Sequence, residues 1–262
     1  MIKTLLARSA VLLLLAAAAA GCAAGTAHDG REARQQAGHY DYRVVEDKPG
    51  GIRMHMLRTA PERLDMVAIR TNVTDAGRTG INGGFFYNNQ LLSIAVEDDR
   101  PAAGEPGGYG SGWFNVKYPR GTLVYDKAAQ LLSVQVVSSA AELEVTDRAR
   151  YWAQGGISMG LAGGPAADWR AQADAEAAPY PDDDRLRSAL AYDGNGDVLL
   201  IVTSTPCTLE ELRDAIGRMQ ETYDVVEGIF LDGDGSSQLS AVEELLPGDG
   251  RAVMQMIEIT AP

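Results

Sequence analysis

Residues 225–239 read VVEGIFLDGDGSSQL, an apolar segment that runs directly into carboxylates, glycines and hydroxyls. The apolar part, residues 225–231, predicts a buried strand, and Asp232 follows where this strand ends. Side chains at the ends of strands in α/β sheets commonly bind ligands. The next residues would let the backbone approach a ligand and would add hydroxyl donors: Gly233, Gly235, Ser236 and Ser237. A hairpin or β-α turn uses the same residue types and is the alternative interpretation.

A helix is predicted directly before this strand. Thr208 and Glu211 have the spacing of a capping box, and apolar residues follow at helical spacing. That apolar stripe would face a sheet and comprises Leu209, Leu212, Ile216 and Met219. Because the helix lies between a strand at 198–202 and the strand at 225–231, the pattern predicts a β-α-β unit whose strands pair in parallel.

The rest of the chain alternates strand-like segments with glycine-rich connections. The strand-like segments are residues 41–46, 51–59, 64–73, 90–98, 121–126 and 131–139. The sequence DGNGD at 193–197 predicts a hairpin turn between two further strands. We therefore predict a mixed α/β (α+β) fold: a single sheet-rich domain with a β-α-β unit near its C-terminus and few helices.

A second segment has a similar polar character. Residues 79–90, TGINGGFFYNNQ, contain an amide, two glycines and two aromatic rings in succession: Asn82, Gly83, Gly84, Phe85 and Phe86. This set suits a sugar, because the amide can bond hydroxyls, the glycines leave room, and a ring can pack on the sugar's apolar face. An aromatic pair in the core is the alternative. In a third segment, Arg187 stands at the start of a strand, and taken alone it would be interpreted as a surface charge.

Together these segments resemble the phosphodiester glycosidase family. The matching elements are NGGFF at 82–86, RSALA at 187–191, LDGDGSS at 231–237 and, more weakly, QGGISMG at 154–160. They occur in the family's order, so the resemblance covers the chain from about Tyr40 onward. Three positions differ from the residues that are usual in the family: Asp234 and Ala191 stand in place of glycines, and Ser188 stands in place of a threonine. The extra carboxylate of Asp234 beside Asp232 would raise the proton affinity of both groups.

The resemblance implies hydrolysis of the bond between a sugar's anomeric carbon and a phosphodiester in an envelope or extracellular glycan. Free sugar and a phosphate monoester would be released. In this interpretation Asp232 activates water or attacks the anomeric carbon, and Asp234 tunes it or substitutes for it. Arg187 binds phosphate oxygens, and Asn82 holds sugar hydroxyls or an acetamido group. The other residues of the two loops shape the pocket or bind substrate: Gly83, Gly84, Phe85, Gly233, Gly235, Ser236 and Ser237.

Composition and charge limit the classes of function that are expected for this protein. The 262 residues are 45% hydrophobic and 23% charged, as expected for one globular domain with short extensions. With 23 basic and 36 acidic residues, the net charge of −13 disfavours binding to nucleic acid, so a phosphate site must be a local cationic pocket. A carbohydrate or glycan phosphate is the expected partner, and no oligomeric state is predicted.

The N-terminus predicts export. Residues 1–21 combine a basic start, an apolar stretch and small residues before Cys22, which is typical of a lipoprotein signal peptide. Lipidated Cys22 would anchor the protein at the periplasmic or cell-surface face of a membrane; cleavage nearby by an ordinary signal peptidase and a spanning anchor are alternatives. Residues 22–40 predict a flexible tether, and residues 41–262 form the phosphodiester glycosidase-like domain. With Cys22 acylated, Cys207 has no disulfide partner and is expected to pack in the interior.

The histidine content disfavours two common kinds of hydrolytic site. Of three histidines, His55 alone lies inside the predicted domain, so neither a Ser-His-Asp site nor a zinc site with several histidines is expected. We expect His55 to be structural. A calcium site is harder to dismiss, because four residues have an EF-hand-like register: Asp232, Asp234, Ser236 and Glu243. Although Ser237 takes the place of the glycine in that register, a divalent cation, Ca²⁺ or Mg²⁺, stays open as a cofactor.

Two rival functions remain at this point. A lipoprotein that binds glycan phosphates or polysaccharide without cleaving them would need no carboxylate at position 232, so the presence of Asp232 favours an enzyme. A cation-dependent phosphodiesterase would cleave the P–O bond instead of the C–O bond.

Overall fold

The computed structural model describes residues 39–163 and 168–261. The strands are β1 (Asp41–Asp47), β2 (Ile52–Thr59), β3 (Leu64–Thr71), β4 (Gly80–Asn82), β5 (Phe86–Tyr87), β6 (Gln90–Leu91), β7 (Ala95–Glu97), β8 (Arg100–Pro101), β9 (Arg120–Asp126), β10 (Leu131–Val137), β11 (Tyr151–Gly155), β12 (Ile157–Ser158), β13 (Ser188–Asp193), β14 (Val198–Thr203), β15 (Val225–Phe230), β16 (Leu239–Ser240), β17 (Leu245–Leu246) and β18 (Val253–Ile259). The helices are α1 (Trp169–Ala175), α2 (Leu209–Arg218) and α3 (Gln220–Tyr223). The predicted sheet-rich α+β domain with few helices is confirmed.

Three main sheets organise the domain. Sheet I has the order β1-β2-β14-β13-β15-β12, sheet II the order β10-β9-β11-β7-β8, and sheet III the order β17-β16-β4-β18-β3. Every residue of β14 is buried, as its unbroken apolar run predicts. Asp232 follows β15 of sheet I, whereas Asn82 ends β4 of sheet III. The contact between these two sheets therefore brings the two polar segments together.

Helix α2 begins as the sequence predicts. The Thr208 hydroxyl accepts the Glu211 N–H at 3.1 Å, and the Glu211 carboxylate accepts the Thr208 N–H at 2.9 Å. These two bonds complete the capping box, which satisfies N–H groups that a helix start leaves free. The predicted apolar stripe is buried and comprises Leu209, Leu212, Ile216 and Met219.

The predicted parallel pairing across α2 is wrong. Strands β14 and β15 do run in the same direction, but β13 lies between them and pairs antiparallel with both. The reason is local: the DGNGD turn folds β13 back on β14 as a hairpin, as predicted, so that side of β14 is already occupied. Strand β15 therefore adds to the far side of β13.

The strand predicted over residues 90–98 is two short strands, β6 and β7. Between them, the Ser93 hydroxyl accepts the Phe85 N–H at 2.9 Å, and the Ile94 N–H donates to the side chain of Asn115 at 3.1 Å. These side chains provide the hydrogen bonds that a continuous strand would have made to a neighbouring strand.

The N-terminal predictions fall outside the described residues. The signal peptide, Cys22 and all but the end of the tether precede residue 39. Among the described residues, no helix combines the length and the apolar character needed to cross a membrane.

Candidate active site

The side chain of Asn82 is the centre of a hydrogen-bond cluster that joins the three matching segments. Its amide N–H groups donate to the backbone oxygens of Asp232 at 2.8 Å and of Gly83 at 3.2 Å. Its amide oxygen accepts the Ser188 hydroxyl at 2.8 Å and the Gln238 N–H at 3.0 Å. Segments that lie far apart in the sequence therefore meet at one amide.

This cluster explains why position 82 needs an amide. Asn82 is 1% exposed, and its amide supplies donors and an acceptor at the same time. An aliphatic side chain or a carboxylate would leave buried partners unpaired. Because every one of these groups already has a protein partner, a sugar contact would require Asn82 to give up a bond. Its placement indicates that Asn82 positions the Asp232 loop.

Asp232 places a half-buried carboxyl group at the end of β15. Its Oδ1 accepts the Gly233 N–H at 3.1 Å, and the Ser236 hydroxyl bonds the same carboxyl group. Burial raises the pKa of Asp232 to about 6, although these two hydrogen bonds and the charge of Arg251 oppose the shift; repulsion from Asp234 adds to it. A carboxyl group with a pKa near neutrality can take up and release protons at physiological pH.

Asp234 lies two residues further along, in the left-handed backbone conformation with φ 58°. Its exposed carboxylate accepts a hydrogen bond from Nη1 of Arg185 at 2.8 Å, and its N–H donates to the Leu186 oxygen at 2.7 Å. Glycine adopts this conformation without strain, which accounts for the glycine expected here from the resemblance. The predicted second carboxylate is therefore beside Asp232 but is already ion-paired.

The other residues of this loop pack closely against neighbouring segments. A Cβ atom on Gly233 would lie 3.0 Å from the Leu186 oxygen, and one on Gly235 would lie 2.1 Å from a carboxylate oxygen of Asp249. Ser236 and Ser237 are both buried, and the Ser237 hydroxyl has no hydrogen-bond partner within the described structure. The glycines here make room for protein groups, and Ser236 supports Asp232.

Buried glutamines fill the space beside Gly83 and Gly84. A Cβ atom on Gly83 would lie 2.1 Å from the side-chain oxygen of Gln255, and the same oxygen accepts the Gly84 N–H at 3.0 Å. The Gln255 amide also bonds Gln154, the first residue of the weaker matching segment at 154–160. Packing against these side chains therefore requires both glycines, and Gln154 connects the fourth segment to the site.

Phe85 is half-buried next to these glycines and contributes to the core beneath sheet I. The guanidinium of Arg120 lies 5.0 Å from the centre of its ring, within the range of a cation–π contact. Arg120 also donates to the backbone oxygens of Glu176 at 2.9 Å and Ala177 at 3.4 Å. One side of the Phe85 ring is thus occupied by protein.

Arg187 is buried and holds three backbone oxygens. Its Nε donates to Cys207 at 2.9 Å, and its Nη2 donates to Tyr180 at 2.8 Å and to Asp183 at 2.6 Å. It is 4% exposed, and burial lowers its pKa. The predicted phosphate contact stays a prediction, and Nε and Nη2 of Arg187 are already engaged by these carbonyls.

Two arginines not selected from the sequence carry accessible charges near Asp232. The side chain of Arg185 is 27% exposed and that of Arg251 is 47% exposed. Nε of Arg251 lies 2.9 Å from both carboxylate oxygens of Asp249, and its charge acts to lower the pKa of Asp232. The sequence could have indicated Arg185, because it lies two residues before Arg187 in the third matching segment. No sequence pattern indicates Arg251.

Residues 168–185 include helix α1 and an exposed tyrosine. Trp169 begins α1, and its ring packs on Phe230 with centroids 6.4 Å apart. Tyr180, by contrast, is 62% exposed, and the Arg185 guanidinium lies 4.0 Å from the centre of its ring. Tyr180 is therefore at the surface, against the guanidinium that also bonds Asp234.

His55 and Cys207, whose side chains are reactive in many enzymes, are both buried. His55 lies between the hydroxyls of Tyr42 at 2.8 Å and Ser204 at 3.0 Å, and burial lowers its pKa. Burial raises the pKa of the Cys207 thiol to about 12. Both placements agree with structural roles.

The carboxylates of Asp232, Asp234 and Glu243 are the predicted ligands of a divalent cation. Within residues 39–163 and 168–261, no group of three or more His, Cys, Asp or Glu side chains is arranged to hold a metal ion. In the EF-hand-like register, Asp234 pairs with Arg185, and Glu243 accepts the Tyr40 hydroxyl at 2.9 Å. A bound Ca²⁺ or Mg²⁺ stays a prediction.

Comparison with known proteins gives a consistent assignment. A family model described as phosphodiester glycosidase matches residues 67–260. The fold is similar to the catalytic domain of zebrafish N-acetylglucosamine-1-phosphodiester alpha-N-acetylglucosaminidase, auto-inhibited by its pro-peptide (TM-score 0.60, 16% identity, 85% of this chain and 82% of that chain). It is also similar to a hypothetical protein from Synechocystis (TM-score 0.54, 15% identity, 85% of this chain and 62% of that chain). No curated protein sequence matches the chain significantly.

Proposed function

This chain belongs to the phosphodiester glycosidase family, and on that basis we propose that it is a hydrolase that cleaves the anomeric C–O bond of a sugar-1-phosphodiester. The products are the free sugar and a phosphate monoester. The observation that supports this proposal most strongly is the Asp232 carboxyl group, half-buried at the end of β15 with its pKa raised to about 6.

Asp232 is the proposed catalytic carboxyl group. With a pKa of about 6, roughly nine-tenths of it is ionised at pH 7. The ionised form can remove a proton from water or attack the anomeric carbon directly. The Gly233 N–H and the Ser236 hydroxyl hold this carboxylate in place, and Asn82 fixes the backbone oxygen of the same residue. In the overall reaction, water supplies the oxygen of the free sugar, and one proton passes through Asp232 to solvent.

The leaving group reduces the demand for a general acid. A phosphate monoester departs as a stable dianion, so one carboxyl group together with nearby cations is a sufficient catalytic set. Arg185 and Arg251 have accessible charges beside the Asp232 loop. Arg187 orders the segment around Tyr180 and Asp183 through its bonds to their backbone oxygens.

Lipid anchoring at Cys22 is also proposed, and with it a substrate in an envelope or extracellular glycan. The support is the sequence pattern of residues 1–22. Metabolic labelling with a fatty-acid analogue tests this directly. Label should appear in the wild-type chain and be lost in Cys22→Ala.

Turnover by the full chain in detergent micelles tests the proposed reaction. The substrates are a UDP-sugar and an N-acetylglucosamine-1-phosphodiester, and the readout is release of reducing sugar. Asp232→Asn should lower kcat by at least about 100-fold, the usual size of a general-base contribution. The matched control is Asp47→Asn, which removes a carboxylate paired with Arg218 at 2.7 and 2.9 Å. Asp47 belongs to β1, an edge strand of sheet I. This variant should keep kcat within about twofold, because Asp47 is a buried residue of β1, four strand positions from β15 in sheet I.

The rival functions give different results in the same experiment. Binding of a substrate without turnover, unchanged in Asp232→Asn, would indicate a glycan-binding lipoprotein. Turnover that requires added Ca²⁺ or Mg²⁺ and releases sugar phosphate would indicate a cation-dependent phosphodiesterase.

A further inference from the structure

We propose that Arg185 is the cation that contacts the substrate phosphate and that Asp234 is its internal competitor. This inference rests on the proposed function, because it concerns the same site. It assigns the phosphate contact to a residue with an accessible guanidinium and gives Asp234 a role that differs from catalysis.

The backbone places Arg185 directly beside the Asp232 loop. The Asp234 N–H donates to the Leu186 oxygen at 2.7 Å, and a Cβ atom on Gly233 would lie 3.0 Å from that same oxygen. The segment that carries Arg185 therefore runs alongside residues 232–234. A cation at this position faces the leaving group of a sugar whose anomeric carbon is at Asp232.

The Arg185 guanidinium is oriented by three neighbours. Nη1 donates to Asp234 at 2.8 Å, Nη2 donates to Asp183 at 2.9 Å, and the Tyr180 ring lies 4.0 Å from the guanidinium carbon. The planar guanidinium is also bonded through Nε to Asp183 at 3.3 Å, so a phosphate that replaces Asp234 would bind the Nη1–Nη2 side of the fork. The Arg185 side chain is 27% exposed, so a ligand can reach it from solvent.

The two neighbouring arginines have no carboxylate partner within the Asp232 loop. Arg187 is 4% exposed and donates to three backbone oxygens. Arg251 is held by both carboxylate oxygens of Asp249. Arg185 differs from both, because one of its partners, Asp234, belongs to the Asp232 loop itself and has a side chain that is 55% exposed.

The Asp234 carboxylate can be displaced at low cost. An exposed ion pair of this kind changes an equilibrium constant by at most about fivefold. A phosphate group carries more oxygens and a comparable charge, so it can replace the carboxylate on the fork. Asp234 thus weakens phosphate binding by about two- to fivefold and favours release of the phosphate product.

Binding of inorganic phosphate to the full chain in detergent micelles tests this proposal, with dissociation constants taken from ³¹P NMR titration. Asp234→Gly relieves the φ of 58° and frees Arg185, so it should bind phosphate about two- to fivefold more tightly. Arg185→Gln should bind at least about tenfold more weakly. The matched control is Arg43→Gln, which breaks an exposed pair with Asp41 on β1, four strand positions from β15, and should bind like wild type.

A double variant separates the competitor role from general repulsion. In the Arg185→Gln background, adding Asp234→Gly should no longer tighten binding, because the cation it frees is absent. Equal tightening in both backgrounds, or loss of binding in Arg251→Gln but not in Arg185→Gln, would overturn the proposal. Should Arg185→Gln fail to fold, Arg185→Lys, which keeps the charge but loses the fork, takes its place.

Turnover measured on the same variants distinguishes this proposal from the proposed function. Arg185-dependent phosphate binding without any turnover by wild type would support the phosphate site and refute the glycosidase. Asp232-dependent turnover with phosphate binding and KM unchanged in Arg185→Gln would support the glycosidase and refute the phosphate site.

Discussion

Replacing Asp232 by Asn should remove activity and yet raise stability at neutral and alkaline pH. The perturbation is nearly isosteric, so the loop geometry is retained while the charge is lost. Burial raises the pKa of this carboxyl group from 3.8 to about 6, which means that the folded chain holds the proton more strongly than the unfolded chain does. As the pH rises from about 4 to about 6, the unfolded state loses its proton first, and the free energy of unfolding falls.

The magnitude follows from the size of the shift. One pKa unit corresponds to ~1.4 kcal/mol, so a shift to about 6 gives an upper limit of about 3 kcal/mol. Because the carboxyl group is only half-buried, we expect about 1 to 2 kcal/mol. This loss of free energy of unfolding is fully present above about pH 6 and absent below about pH 4. An asparagine at position 232 does not ionise and therefore does not cause it.

Urea denaturation followed by tryptophan fluorescence, at a series of pH values from 4 to 8, measures this effect. Asp232→Asn should be more stable than wild type at pH 8, and the gain should vanish near pH 4. The matched control, Asp47→Asn, has the opposite sign, because Arg218 lowers the pKa of Asp47 and its contribution is present at pH 8 and lost on acidification. A destabilised Asp232→Asn at pH 8, or a gain that does not depend on pH, would refute the electrostatic reasoning.

Three further predictions concern the same chain. Asn82→Ala removes four hydrogen bonds from a buried cluster and should lower the free energy of unfolding by about 3 to 5 kcal/mol. Asn115→Ala, which also breaks four bonds, should be similarly unstable but should leave the pH dependence of kcat/KM intact, and a normal profile in Asn82→Ala would contradict its positioning role. In wild type, kcat/KM should rise with pH and level off above about pH 6, since the ionised form of Asp232 is the reactive one; a fall over that range would show that the protonated form is needed. Cys207, buried and with its pKa raised to about 12, should resist a thiol reagent in the native protein at pH 8 and react after denaturation.

Local features of the fold were predictable because local residues determine them. The capping box at Thr208 and the DGNGD hairpin each depend on side chains within a few positions of one another. The position of β15 was not predictable in the same way. It depends on β13 already occupying the side of β14 that a parallel strand would need, and hydrophobic periodicity does not encode which neighbour a buried strand takes.

In the candidate site, too, local features were predictable and features that depend on distant residues were not. The segments that meet were identifiable, because their residue types are unusual at the ends of apolar runs. The roles within them depend on distant partners: Asn82 bonds Ser188, Asp232 and Gln238, which lie more than 100 positions away. Arg185 and Arg187 are two residues apart and would share a face in an extended segment, so sequence alone could not tell which one the Tyr180 and Asp183 carbonyls would bury.

The position of oxygen-18 after hydrolysis in labelled water tests the central claim most directly. The full chain would be incubated with an N-acetylglucosamine-1-phosphodiester, and both products would be analysed by mass spectrometry, beside Asp232→Asn. Cleavage of the anomeric C–O bond predicts label in the free sugar, unlabelled phosphate monoester, and loss of both products in the variant. Label in the phosphate product, or equal turnover by Asp232→Asn, would contradict a glycosidase that acts through Asp232.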